Sequence, residues 1–200
     1  MPARAPRRAC GREQCATRVY APQSALLLGR AVSLLDLEAA AAIVPGVRAV
    51  RAEWIWNDQS QQPVAQIYYI GDPDLDSVII QRLRNLAEVD LPIDVEIAQP
   101  QAHTLAIQIT IDPTYLDTVV LPNVRTALMD PDTGLLAPEQ IGIGLPLFRS
   151  RIYEVVLSVA GAVSVAGLQW DGADFAHWAI APPAGSFFDF EIGTLLLNGT

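Results

Sequence analysis

Residues 133–170 read TGLLAPEQIGIGLPLFRSRIYEVVLSVAGAVSVAGLQW, a loop, an amphipathic helix and a strand in direct succession. Leu147, Ile152, Val155, Val156 and Val159 recur on one helical face, while Arg149, Arg151 and Glu154 fall largely on the other. The spacing predicts a helix over 147–159 that lies against a core. Ala160-Gly161-Ala162 then supplies a permissive stop. Val163, Val165 and Gly167 alternate with Ser164 and Ala166, which predicts a strand over 162–169.

A weaker copy of this unit stands upstream. Residues 33–54, SLLDLEAAAAIVPGVRAVRAEW, again run helix, glycine, strand and tryptophan. Aligning Gly46 with Gly161 leaves Trp54 and Trp170 one residue out of register, so the match is one of supersecondary order and not proof of duplication.

Around these two units the remaining elements fall into place. Ser33, with Asp36 three residues on, has the form of a capping box for a helix over 33–44. Strands follow over 47–56 and 64–70, joined by the polar tip Asn57 to Pro63 as a hairpin. Asp72-Pro73 has the character of a helix opening, predicting a helix to about residue 89 with Leu75, Val78, Ile79, Leu83 and Leu86 inward. Ile93, Val95 and Ile97 alternate with Asp94 and Glu96 as a strand with one wet face. The cleanest alternation runs from His103 to Ile111, and Asp112-Pro113 repeats the helix-opening device. That helix reaches about residue 128, and Pro122 is expected to kink or split it. Further strands are expected over 175–180 and 186–197. The fold class is therefore α+β: two small helix/strand modules with mixed, largely antiparallel sheets, over 31–100 and 101–200.

The run LLAPEQIGIGLPLFRSRIYEVVLSVAGAVSVAGLQW, preceded by IDPTYLDTVVLPNVRTALMDPDTG and followed by FFDFEIGTLLLNG, resembles the C-terminal part of the baseplate J-like family of baseplate assembly proteins from contractile tails. The resemblance covers about residues 90–200, and 35–89 more loosely through the order of elements. It implies a structural wedge subunit of a contractile phage tail or phage-derived injection system, joining neighbouring wedges around the hub and relaying the trigger for sheath contraction. It also implies other wedge subunits and copies of the same chain as partners, with hub or sheath-initiating proteins beyond them. Assembly in the host cytoplasm into the virion tail or injection particle follows from the same resemblance. No active site, cofactor or metal is carried over.

Charge separates the chain into two parts. Arg4, Arg7, Arg8, Arg12 and Arg18 precede Val19 against Glu13 alone, so residues 19–200 hold 8 basic and 21 acidic side chains, a net −13. Phosphate binding needs clustered cations, which this body lacks, so nucleic acid is not expected as a partner. Residues 1–30 have the composition of a flexible basic arm, with ordering against an acidic neighbouring subunit as the alternative. Cys10 and Cys15 both lie in that arm and do not suffice for a zinc site. No apolar stretch approaches the roughly 20 residues of a membrane span.

Catalytic patterns are poor. His103 and His177 stand far apart without metal-ligand spacing. Asp72, Asp74 and Asp76 form the one acidic cluster that keeps a small metal-dependent hydrolase open as an alternative, but the loop lacks the glycine and distal glutamate of a calcium site. A stand-alone ligand-binding module is the other alternative. The late crowding of aromatic rings points instead to subunit contacts, and so does the apolar content of 51%, which a larger core explains as well. The candidate interface residues are Leu147, Phe148, Ile152, Trp170, Trp178, Phe187, Phe188 and Phe190. Trp54 and Trp56 share one side of a strand, which a core face explains as well as an interface does.

Overall fold

A computed structural model describes residues 31–88 and 90–199. The basic arm, with Cys10 and Cys15, lies outside the described residues. The first half runs α1 (Leu34–Ala42), β1 (Val47–Asn57), β2 (Gln62–Gly71), α2 (Asp76–Leu86) and β3 (Ile93–Ile97). The second runs β4 (Gln99–Ile111), α3 (Asp117–Met129), α4 (Pro138–Ile141), β5 (Leu147–Phe148), α5 (Arg149–Leu157), β6 (Ala162–Trp170), β7 (Ala173–Asp174), β8 (Ala179–Ile180) and β9 (Ser186–Gly199). The fold is α+β. One sheet has the order β1-β2-β3, another β7-β6-β4-β9, and β5 pairs with β8. Both larger sheets are mixed: β1-β2, β4-β6 and β6-β7 are antiparallel, while β2-β3 and β4-β9 are parallel.

Each sheet carries helices on one face, and the apolar periodicities explain which. Ala65, Ile67 and Tyr69 of β2 bury against Leu37, Ala40 and Ala41 of α1 and Ile79 and Leu83 of α2. Leu105, Ile107, Ile109 and Ile111 of β4 bury against Val120, Val124 and Leu128 of α3 and Ile152 and Val156 of α5. A small third cluster of Ile70, Ala98, Ile143 and Phe187 joins the halves, with an ion pair of 2.8 Å from Arg48 to Glu139.

The resemblance between the two helix-glycine-strand units is more than order. Gly46 and Gly161 both sit at φ +92°, and their carbonyls accept hydrogen bonds from Asp72 N–H (3.0 Å) and Asp112 N–H (2.9 Å), the two aspartates that precede proline. Trp54 faces Ala65 and Trp170 faces Leu105. Both partners stand six residues before the ends of their strands, 65 against Gly71 and 105 against Ile111. The one-residue offset in sequence is a second bulge: β1 carries one extra residue after Val47, whereas β6 carries one between Ala162 and Ser164 and another between Val165 and Gly167. The two tryptophans thus occupy equivalent places. The connections differ, because β1 runs directly into β2, whereas β6 follows β4 only after α3, α4, β5 and α5.

Several boundaries differ from the sequence reading. The helix expected from Asp72-Pro73 begins at Asp76, with Leu75 at its cap and no side-chain capping bond, since Asp72 is still tied to Gly46 and Asp74 takes φ +67°. The helix expected from Asp112-Pro113 begins at Asp117. Asp112 Oδ1 instead accepts from Thr114 N–H (2.8 Å) and Thr114 Oγ1 (2.7 Å), a local turn that competes with helix. That helix runs through Pro122 as one element. The helix placed at 147 starts at Arg149, because Leu147 and Phe148 pair with Ile180 and Ala179. The strand expected over 175–180 is broken into β7 and β8 around buried Phe175 and outward Trp178. β4 starts at Gln99 rather than His103, since its first residues pair with Ser186 to Asp189.

Candidate interface

Most of the late aromatics are turned inward. Phe188 and Phe190 are buried in the second core, Phe187 in the junction between the halves, and Leu147 and Ile152 in the second core as well. Consecutive burial of Ser186 to Phe190 follows from position: Phe187 points to the junction while Phe188 and Phe190 point to the opposite side. These five candidate residues are covered by this chain itself. Trp170 is half-buried, its ring meeting those of His103 (4.8 Å), Phe188 (4.9 Å), Phe175 and Phe190 (both 5.9 Å). These edge-to-face and tilted contacts suit the aromatic quadrupole and hold the end of β6.

Trp178 stays outside and Phe148 is partly exposed. Trp178 is 76% exposed and its ring meets that of Phe148 at 5.4 Å. Arg149 N–H donates to Trp178 O (2.9 Å), so the start of α5 fixes this loop. Beside the pair lies an open cavity of about 330 Å³ lined by Leu135, Ile141, Leu145, Phe148 and Arg151. Trp54 and Trp56 form a second exposed patch, 52% and 59% exposed. Both lie on the helix-bearing face of the first sheet, opposite Ala65 and Pro63. Helix α1 has nine residues, about 13 Å, whereas the eleven-residue β1 extends about 36 Å, so the cover ends before the tryptophans. Sequence alternation put the rings on one side; the short length of α1 was the available sign that this side would be uncovered.

Other polar groups have local assignments. His103 Nδ1 lies 2.7 Å from Asp171 Oδ2, and Asp171 Oδ1 accepts from Thr104 N–H at 2.8 Å. The Thr104 amide first, then His103, hold the Asp171 carboxyl below the usual range. Tyr69 is fully buried with the Asp76 carboxylate near its phenol but without a well-formed hydrogen bond between them. Burial first, and then that carboxylate, push the phenol up to about 12. Asp72, Asp74 and Asp76 do not converge: Asp72 lies against Gly46 and Asp76 turns toward Tyr69. Among the described residues no three His, Cys, Asp or Glu side chains are placed to hold a metal ion. No helix among them is long and apolar enough to cross a membrane.

On the other face of the first sheet, Glu53 of β1 faces Gln66 of β2, which faces Asp94 of β3. Tyr68 stands between Arg51 of β1 and Glu96 of β3, and its phenol is raised above the usual range by burial first and then by Glu53, Glu96 and Asp94.

No family model matches the chain, and no curated protein sequence matches it. Among solved structures it is similar to a chain in the cryo-EM structure of the anti-feeding prophage baseplate, symmetrised six-fold, with a TM-score of 0.56 and 12% identity. The similarity covers 94% of this chain and 42% of that one, so this chain spans less than half the length of its structural neighbour and shares its fold over nearly all its own residues.

Proposed function

We propose that the protein is a non-enzymatic structural subunit of the baseplate of a contractile phage tail or phage-derived injection system. The observation that carries this reading is the shared fold over 94% of the chain with a component of such a baseplate. The sequence resemblance over about residues 90–200 points the same way. In finer detail, the chain acts as a wedge protein: it joins neighbouring wedges around the hub and transmits the rearrangement that releases the sheath.

The exposed tryptophans support that detail. A six-fold ring, as in the neighbouring structure, uses heterologous contacts, in which each copy presents two different surfaces. Here Trp54 and Trp56 stand on β1, whereas Trp178, just before β8, stands beside Phe148 of β5. Trp54 and Trp170 hold equivalent places, yet among the described residues only Trp170 is covered by rings of its own chain. Trp54 is then an anchor for another subunit, and Trp178 a second one.

Deleting the coding sequence from a strain that produces contractile particles tests the role. The expected result is unassembled tube and sheath material without complete particles, restored by the intact chain. Normal numbers of complete, contracting particles would contradict it.

A further inference from the structure

The two exposed aromatic patches differ in shape and in charge. Trp54 and Trp56 project from the end of the β1-β2 hairpin, beyond the cover of α1, on residues about 7 Å apart along one strand face. The tip that follows, Asn57 to Pro63, holds one charged residue, Asp58. Its carboxylate is exposed and makes no hydrogen bond or ion pair among the described residues. This patch is an apolar knob with a negative charge at its end.

The second patch is a hollow. The cavity of about 330 Å³ beside Phe148 lies near the lower end of the roughly 300–1,000 Å³ of ligand pockets, room for one large side chain. Leu135, Ile141, Leu145 and Phe148 form its apolar walls, and Arg151 is the one charged side chain lining it among the described residues. Arg151 is exposed and makes no hydrogen bond or ion pair among those residues either. It falls with Arg149 in the first turn of α5, which has no acidic residue, so nothing there offsets the positive end of the helix. Trp178 extends the apolar rim through its ring contact with Phe148. Knob and hollow are thus opposite in shape and in charge, and each copy of the chain carries both. An indole in the hollow meets apolar walls and a guanidinium that can stack on its face. Pairing knob with knob would leave the hollow unfilled and Arg151 without a carboxylate.

Resting on the baseplate reading above, we infer that a second copy of this chain fills the hollow: Trp56 of one copy enters between Leu135, Leu145 and Phe148 of the next. Trp54 then lies on that copy's Trp178, and Asp58 pairs with its Arg151. The contact is head-to-tail, since every copy gives a knob on one side and a hollow on the other, as a closed ring of like subunits requires.

Analytical ultracentrifugation of the full chain and two variants tests this. The knob variant carries Trp54→Ser and Trp56→Ser; the hollow variant carries Leu145→Glu and Arg151→Glu, all four at exposed positions. The intact chain should form concentration-dependent species larger than a dimer. Each variant alone should associate roughly thirtyfold more weakly, the loss typical of a hot-spot side chain. Their mixture should form one-to-one dimers and stop there, because one knob and one hollow remain. Asp58→Arg should weaken association, and Arg151→Glu in the same chain should restore it, a recovery that misfolding cannot mimic. A monomeric intact chain, or a mixture no more associated than its parts, would overturn the proposal. So would association of the hollow variant alone, which would assign the tryptophans to a two-fold contact. Both variants entering complete particles at the intact chain's copy number would overturn this contact and leave the baseplate role standing.

Discussion

At the residue scale, the backbone turns are the most demanding positions. A β-carbon on Gly161, at φ +92°, would meet Tyr115 and Val120 side-chain atoms at 2.8 Å. Left-handed strain and overlap together give an expected loss of about 2–4 kcal/mol for Gly161→Ala in urea unfolding. Gly46→Ala should lose less, since its nearest neighbour is the end of the Asp72 side chain, which can swing away. Four aspartates make a second residue-scale prediction. Asp36 is held below the usual carboxylate range first by the Ser33 amide, Asp112 by the Thr114 hydroxyl, Asp130 by the Thr133 amide and Asp171 by the Thr104 amide. Their folded-state values lie below the unfolded ones, so their contribution is fully present above about pH 4 and is lost as pH falls through the folded values. The urea midpoint should fall between pH 7 and pH 3, and by less in Asp130→Asn; an unchanged difference in that variant would contradict the assignment. The candidate interface was partly legible at this scale. Aromatic enrichment was visible in sequence, but which rings face out was not, because β9 is covered on one side by the junction and on the other by the second core.

At the element scale, local chemistry and periodicity carried most of the reading. Ser33 and Asp36 do form the capping box, with Asp36 N–H to Ser33 Oγ at 3.2 Å and Ser33 N–H to Asp36 Oδ2 at 2.9 Å. Ile93–Ile97 and the long β9 were visible as alternation or as an apolar run. What failed depended on distant partners. Asp-Pro resembles a helix start, yet the tie of each aspartate to the carbonyl of the glycine just before another strand delays the helix. Pro100 hides the first turn of pairing in β4, whose partner is 87 residues away at Phe187. The amphipathic helix itself was legible: Ile152 and Val156 are both fully buried on α5. Ile152→Ala should therefore cost about 2–5 kcal/mol, whereas Trp178→Ala should leave the isolated chain within about 0.5 kcal/mol of its starting stability. Equal losses in calorimetry or urea unfolding would contradict the division between core and exposed rings.

At the scale of the whole molecule, the two sheets reuse one arrangement: a helix-glycine-strand unit, an antiparallel partner ending in Asp-Pro, and a third strand parallel to that partner. The copies differ in what covers the end of the first strand. In the second sheet the chain supplies its own aromatic rings, whereas in the first it leaves Trp54 and Trp56 open. Trp54→Ser with Trp178→Ser should accordingly preserve folding of the chain while sharply reducing the number of complete particles. The domain divisions proposed at 1–30, 31–100 and 101–200 bear on this, since each patch would then belong to one module.

The central claim is tested most directly by quantitative mass spectrometry and antibody labelling of purified contractile particles from cells making the chain. A fixed number of copies confined to the baseplate end of the tail is the predicted result. A chain absent from the particles and monomeric in the soluble fraction would contradict the account.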